Sequence, residues 1–394
     1  MKKLLLAAAT GALMAGAAGA EDVKMGILLG YTGPLESLAG PMDAGAQLAM
    51  KEVSDSGKLL GGSTVTAVTA DTTCIDAAAA TAAAERLVTA EGVKGIMGGM
   101  CSGETIATLE KVGMPNGIVM ISPSATSPAL TSMEDGGLFF RTAPSDARQG
   151  EVMADLLIAK DIKTVAVTYT NNDYGKGLAD SFAAAYEAKG GKVTINAPHD
   201  DGKADYTAEV AALAAAGGDA LVVAGYVDQG GSGVTRAALD TGAFSTFVFP
   251  DGMVGTALET NFGGETEGSI GINPASEGDG RTKFNEMATA AGFDPTSPYA
   301  GEAYDAAALM LLAMEAAKST DPSVYKDKIT EIANAPGEKI LPGELAKGLE
   351  LLAAGTDIDY DGASSVELIG NGESGGSFRE TVMKDGKLDV VGYH

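Results

Sequence analysis

Two loops rich in hydroxyls stand out in this chain: Met100-Cys101-Ser102-Gly103-Glu104-Thr105 and Ile121-Ser122-Pro123-Ser124-Ala125-Thr126-Ser127-Pro128. Hydroxyls, with the free amides at the start of a helix, can hold an anion such as a carboxylate without a cationic side chain. Either loop alone reads equally well as a helix cap. The second half offers a complement in Asn171-Asn172-Asp173-Tyr174-Gly175, Ala224-Gly225-Tyr226 and Pro250-Asp251-Gly252. Tyr174 and Tyr226 supply apolar bodies with polar tips. Asp251 could take an ammonium group, although an Asp before Gly252 also fits an Asx turn.

Motifs for catalysis fail in context. No G-x-x-x-x-G-K-[ST] and no H-E-x-x-H is present. Gly370-Asn371-Gly372-Glu373-Ser374-Gly375 fits G-x-G-x-x-G, but a β-like run follows it, so the phosphate-facing helix is missing and a hairpin turn is expected. Gly372-Glu373-Ser374-Gly375-Gly376 fits G-x-S-x-G without a strand–elbow–helix context, and His394 downstream is the last residue. Asp357, Asp359 and Asp361 before Gly362 resemble the opening of a calcium loop, yet the twelfth position is Leu368 rather than Glu. A β-turn is the simpler reading. With only His199 and His394, the commonest general base is scarce. No enzyme, cofactor or metal site is expected.

The elements that would position these loops alternate short β-rich runs with Ala-rich helical stretches. Strands are expected at 23–29, 65–70, 93–97 and 118–121, and helices at 42–54, 76–89 and 104–112, with a Gly/Pro-marked loop over 30–41. After Pro144 the rhythm restarts, with strands at 164–168, 192–195, 220–223 and 246–249 and helices at 151–159, 177–189, 206–216 and 232–241. Such βα alternation argues a doubly wound parallel sheet, and two series argue two similar lobes. Every loop named above follows a strand's C-terminal end, where open α/β sheets bind ligands. Two adjacent hydroxyl loops so placed favour a site over two isolated caps. Helices at 299–318 and 322–333 follow, then β pieces at 366–369, 378–383 and 388–391 with turns at Asn371-Gly372 and Asp385-Gly386.

At 394 residues the chain exceeds one ordinary core. Its net charge of −26, with no offsetting Lys/Arg run, excludes nucleic acid and anionic lipid as partners and favours a soluble monomer. The N-terminus carries Lys2-Lys3, an apolar stretch and Ala18-Gly19-Ala20, the pattern of a secretory leader cleaved after Ala20. Two cysteines in an exported chain suggest a disulfide, with two buried thiols the competing reading.

At these residues the chain resembles the periplasmic Leu/Ile/Val-binding proteins of ABC transporters, a type I periplasmic binding protein family. The resemblance rests on Thr32-Gly33-Pro34, Cys74 with Cys101-Ser102, residues 121–126, Tyr174-Gly175-Lys176-Gly177 and Pro250-Asp251-Gly252, and it spans nearly the whole mature chain. It implies an α/β fold of two doubly wound, Rossmann-like lobes joined by a three-crossover hinge. The expected lobes are 21–143 plus 275–355 and 144–274 plus 356–394, after a leader at 1–20. It further implies that Ser102, Ser124, Ala125 and Thr126 bind a ligand carboxylate, with Thr126 also helping to hold the amine. Tyr174 and Tyr226 would close from the other lobe, Asp251 would take the ammonium, and Cys74 and Cys101 would form the family's disulfide. The implied partners are an amino acid and the permease of an ABC transporter, with the protein itself in the periplasm.

Two departures leave the ligand's side chain open. Asp251 is one methylene shorter than the Glu usual in the family, and Leu38 stands where an aromatic often packs. Glu302 and Leu38 are expected near the side-chain pocket, with Glu36 also close to the cleft. A sensor of amino acids or amides and an exported hydrolase are the alternatives.

Overall fold

The computed structural model describes residues 21–394; the expected leader lies outside the described residues. Five strands, β1 (Asp22–Leu29), β2 (Thr64–Asp71), β3 (Ile96–Gly98), β4 (Met120–Ser122) and β5 (Phe139–Arg141), form a parallel sheet in the order β2-β1-β3-β4-β5. Parallel strands are covered on both faces and therefore read as apolar runs. β1 follows that rule, with Met25, Ile27, Leu28 and Leu29 fully buried. The winding then repeats. β6 (Thr164–Thr170), β7 (Lys192–His199), β8 (Ala220–Ala224), β9 (Phe247–Phe249) and β10 (Ile270–Pro274) are parallel in the order β7-β6-β8-β9-β10.

The chain next returns to the first sheet. Helix Ala300–Ala317 is buried along residues 300–315 and packs on helix Glu36–Ser56, as expected of a helix apolar on all sides. The two backbones touch at Gly45, where a Cβ would lie 2.2 Å from the Ala300 carbonyl oxygen. Only glycine permits that approach. β11 (Glu338–Ile340) and β12 (Ile358–Tyr360) pair in parallel around helix Leu345–Ala353, which also packs on helix 300–317. β13 (Phe378–Lys384) and β14 (Lys387–Tyr393) then extend the second sheet antiparallel beyond β10. Their Asp385-Gly386 turn has φ of 51° and 77°, the left-handed pair that a tight hairpin requires.

Several expectations change. Helix 36–56 begins at Glu36 rather than at residue 42. Burial of Leu38 and Ala39, and a 2.9 Å bond from the Ser37 amide to Asp228 of the second lobe, anchor the turn preceding Pro41. No strand forms at 366–369; the Leu368 amide is instead taken by the Asn334 side chain at 2.8 Å. Asp357, Asp359 and Asp361 flank or occupy β12, Asp361 lies 3.4 Å from Lys339, and the expected turn begins at Gly362. Because β12 stays paired with β11, the third passage between the sheets falls between Tyr360 and Phe378, beyond the expected 355/356 boundary.

Candidate functional site

In both sheets the winding reverses beside the first strand of the series, between β1 and β3 and between β6 and β8. Crevices open at such points. Here the two crevices face each other around a narrow cavity. Leu35, Leu38, Met100, Cys101, Ser102 and Ser124 line one side, Tyr174, Tyr226, Asp251 and Gly252 the other, and Tyr299 completes it. The sheets also meet directly at the rim, where the Ser127 hydroxyl donates to the Asp173 carbonyl at 3.0 Å and the Asp228 amide to the Pro34 carbonyl at 3.1 Å.

The first wall is built from hydroxyls tied to backbone. Ser102 opens helix Ser102–Thr108 after β3, and its Oγ accepts the Ser127 amide at 3.1 Å. Its own proton therefore remains free to donate. The Ser124 hydroxyl donates to the Met100 carbonyl at 2.8 Å, and Ser122 Oγ accepts the Ala125 amide at 2.8 Å. The Cys74–Cys101 disulfide, expected from the resemblance, is formed and ties the loop after β2 to the Ser102 loop. Ala125 and Thr126 are fully buried but do not line the cavity. Arg141 supports them from behind, donating to the carbonyls of Ala125 (3.1 Å) and Ser127 (3.0 Å) and pairing with Glu373. The glycine-rich turn at 370–375 thus supplies a structural carboxylate, in keeping with its reading as a turn.

The second wall is a network of side chains. Tyr174 and Tyr226 stack with centroids 5.2 Å apart and planes 8° apart. The Tyr174 hydroxyl donates to Asp251 Oδ1 at 2.9 Å and accepts the Gly252 amide at 3.1 Å. Tyr226 Oη accepts from Asn172 Nδ2 at 3.1 Å. A Cβ on Gly252 would sit 2.6 Å from the Gly225 carbonyl and 2.8 Å from the Tyr174 hydroxyl, so the wall needs glycine there. Asp251 is buried, which pushes its carboxyl up, while bonds from Tyr299 and Tyr174 pull it down. Burial and the neighbouring Asp251 charge hold the phenols of Tyr174 and Tyr299 well above the usual range.

Two residues outside the expected set bear on the site: Tyr299 lines the cavity, whereas Asp146 does not line it but lies next to Thr126 and feels the Asp251 charge. Tyr299 precedes helix 300–317 with a left-handed backbone, φ 65°, and its hydroxyl bonds Asp251 Oδ2. Asp146, in the first turn of helix Asp146–Ala159, is fully buried, and neither carboxylate oxygen has a partner among the described residues. Thr126 Oγ1 and Gln149 Oε1 are likewise unpartnered. Burial, then the Asp251 charge, drives the Asp146 carboxyl upward against the pull of Arg141. The signals existed: Pro298 before the longest apolar helix, and an acid directly after Ser145, the cap of its helix. Each reads as ordinary capping or core until the cavity is known.

Leu38 lines the cavity, but Glu302 does not. Its carboxylate turns to Arg281 at 3.2 Å and its carbonyl accepts the Thr142 hydroxyl at 2.8 Å. Glu36 is exposed and lies outside the cavity lining. His199 is buried at the end of β7 on Thr168, and His394 pairs with Glu380. The arrangement therefore sets neutral donors opposite buried carboxylates, the complement of a small zwitterion.

The comparisons agree with this geometry. A family model described as periplasmic binding protein matches residues 22–338. Leu/Ile/Val-binding protein homolog 1 of Brucella melitensis is 32% identical over 325 residues, 81% of this chain and 83% of that protein. Among solved structures, a leucine binding protein from Thermotoga maritima superposes with TM-score 0.79 at 22% identity, covering 94% of this chain and 98% of that one. A branched-chain amino acid transporter substrate binding protein from Streptococcus pneumoniae, in complex with isoleucine, gives 0.76 at 23% identity, covering 94% and 99%. With two wound lobes around one cavity and a family match over most of its length, the chain belongs to the periplasmic binding proteins, the solute-binding components of ABC importers.

Proposed function

We propose that this protein captures a small α-amino acid with an uncharged side chain between its lobes and delivers it to an ABC permease. One observation carries the reading: the Ser102/Ser124 wall faces Asp251 across a single cavity. The ligand carboxylate would lie on Ser102 and Ser124, with Thr126 behind, and the ammonium between Asp251, Asp146 and Thr126. Leu35, Leu38 and Met100 leave an apolar end, and no Lys or Arg lines the cavity to pair a second ligand acid. A carboxylate lacking an amine would meet two buried acids without compensation, which is costly. The lining serine hydroxyls are engaged with backbone groups rather than with a base, which favours binding without turnover.

Release from a leader after Ala20, a periplasmic location and a monomeric state complete the proposal, as does the division into lobes 21–143 plus 275–360 and 144–274 plus 361–394. Closure by hinge motion would bring Tyr174, Tyr226 and Asp251 onto ligand held by the first lobe. The test is calorimetry of refolded mature protein against each amino acid, with benzoate and acetamide as controls. Binding of an aliphatic amino acid but neither control is expected. If no α-amino acid binds, the proposal fails.

A further inference from the structure

Helix 36–56 starts without a cap of its own. Its N-cap position is Leu35, whose side chain has no acceptor, where Ser, Thr, Asp or Asn would ordinarily supply one. The missing acceptor comes from the other lobe. Asp228 Oδ2 accepts the Ser37 amide at 2.9 Å, and the Asp228 amide donates to the Pro34 carbonyl at 3.1 Å. One residue of the second lobe thus holds a first-lobe turn at both ends. A carboxylate so placed also meets the positive end of the helix dipole. Asp228 is half-buried and Ser37 exposed, so the contact sits at the rim.

Both partners adjoin residues that line the cavity, although Asp228 itself does not line it. The turn it grips carries Leu35 and Leu38, and Asp228 follows Tyr226 by two residues. Its own turn is tied to the second wall, where the Val227 amide donates to the Gly252 carbonyl at 3.0 Å. Parting the lobes at this rim requires breaking both Asp228 bonds.

We infer that Asp228 is an interlobe latch: it caps helix 36–56 only while the lobes are closed, positions Leu35 and Leu38 over a captured amino acid, and so sets how slowly that solute leaves. On opening, the Ser37 amide and the Asp228 carboxylate return to water, so the latch is worth only the net difference between the two states. That modest size suits a carrier that must reopen at its permease. The bonds form after the solute has docked on the first lobe, so they act on dissociation and not on encounter. They involve no solute atom, and they bias the free protein toward closure as well.

The experiment compares whole mature wild type with Asp228→Ala and Asp228→Asn in two arms. The first needs no solute. A nitroxide on Asp200→Cys, which shares a closed-form groove with Ile75 and Ala77, reads the closed-to-open ratio of the free protein by relaxation enhancement at the Ile75 and Ala77 amides. Asp228→Ala should lower that ratio roughly three- to tenfold, the loss of one hydrogen bond to a charged acceptor at a wet rim. Asp228→Asn keeps an acceptor and should recover part of it. The second arm rests on the amino acid capture proposed above and follows L-leucine by stopped-flow tyrosine fluorescence. Its dissociation rate should rise by the same factor in Asp228→Ala while its association rate holds. An equal closed-to-open ratio in Asp228→Ala overturns the latch whether or not leucine binds. So does an unchanged dissociation rate, or affinity lost through slower association, the result expected if Asp228 only shapes the wall. If leucine binds no form, its capture fails and the first arm alone decides the latch.

Discussion

The two walls of the cavity reach similar burial by opposite means. On the first, every lining hydroxyl is oriented by backbone: Ser102 by the Ser127 amide, Ser124 by the Met100 carbonyl. On the second, side chains orient one another, with Asp251 held by the phenols of Tyr174 and Tyr299. Backbone-held donors are neutral, and each contributes modestly. A carboxylate in a dry network concentrates the charge of the site in one residue, and its loss leaves a ligand ammonium buried and unpaired. The difference predicts unequal sensitivity to substitution.

The largest effect is expected at Asp251. Asp251→Ala should weaken amino acid binding by roughly 2–5 kcal/mol, the range for breaking a desolvated charge pair, as read by calorimetry. Ser102→Ala removes one hydroxyl donor to a carboxylate and should cost less, about 2 kcal/mol. If Ser102→Ala proved the more damaging, the contrast between the walls would be reversed and the ammonium would not rest on Asp251.

The lobes should also differ toward acid, because both histidines lie in the second. Burial lowers the His199 pKa from the usual 6.5 to about 4, against the opposing charges of Glu209 and Asp200. The unfolded chain therefore takes up the proton first. The stability this histidine contributes is complete above pH 6.5 and is lost as pH falls toward 4, by about 2 kcal/mol at pH 5. Urea midpoints of the wild type should drop between pH 7 and pH 5 more than those of His199→Gln. Parallel slopes would show that His199 does not govern acid lability.

Much of this was legible in the sequence, for a physical reason. The doubled βα rhythm survives because buried parallel strands must be apolar, and loops at strand ends are local features that a linear reading can find. Ser102, Ser124, Tyr174, Tyr226 and Asp251 all come from such loops and all line the cavity. The residues that escaped act across long sequence separations. Tyr299 reaches Asp251 over 48 residues, and Arg141 reaches Glu373 over 232. Glu302 misled for the matching reason: its helix faces the cleft region, but its partner Arg281, 21 residues earlier, turns the carboxylate away. The start of helix 36–56 escaped because its anchor, Asp228, belongs to the other lobe.

The smallest predicted effect is the most discriminating for the second wall. Tyr299→Phe keeps the aromatic surface and removes one of the two phenols that hold Asp251. Two consequences oppose each other. Asp251 gains a free lone pair for the ligand ammonium, yet it loses a bond that favours its ionised form. Affinity at pH 8 should therefore change by only about 1 kcal/mol. The pH profile should move more clearly. Because the Tyr299 bond lowers the Asp251 pKa, its removal raises it, and the acid-side loss of binding should begin at a higher pH in the variant than in the wild type. Calorimetric titrations between pH 5 and pH 8 would show the shift. An unmoved acid limb would mean that Tyr299 only fills space and that Tyr174 alone sets the ionisation of Asp251.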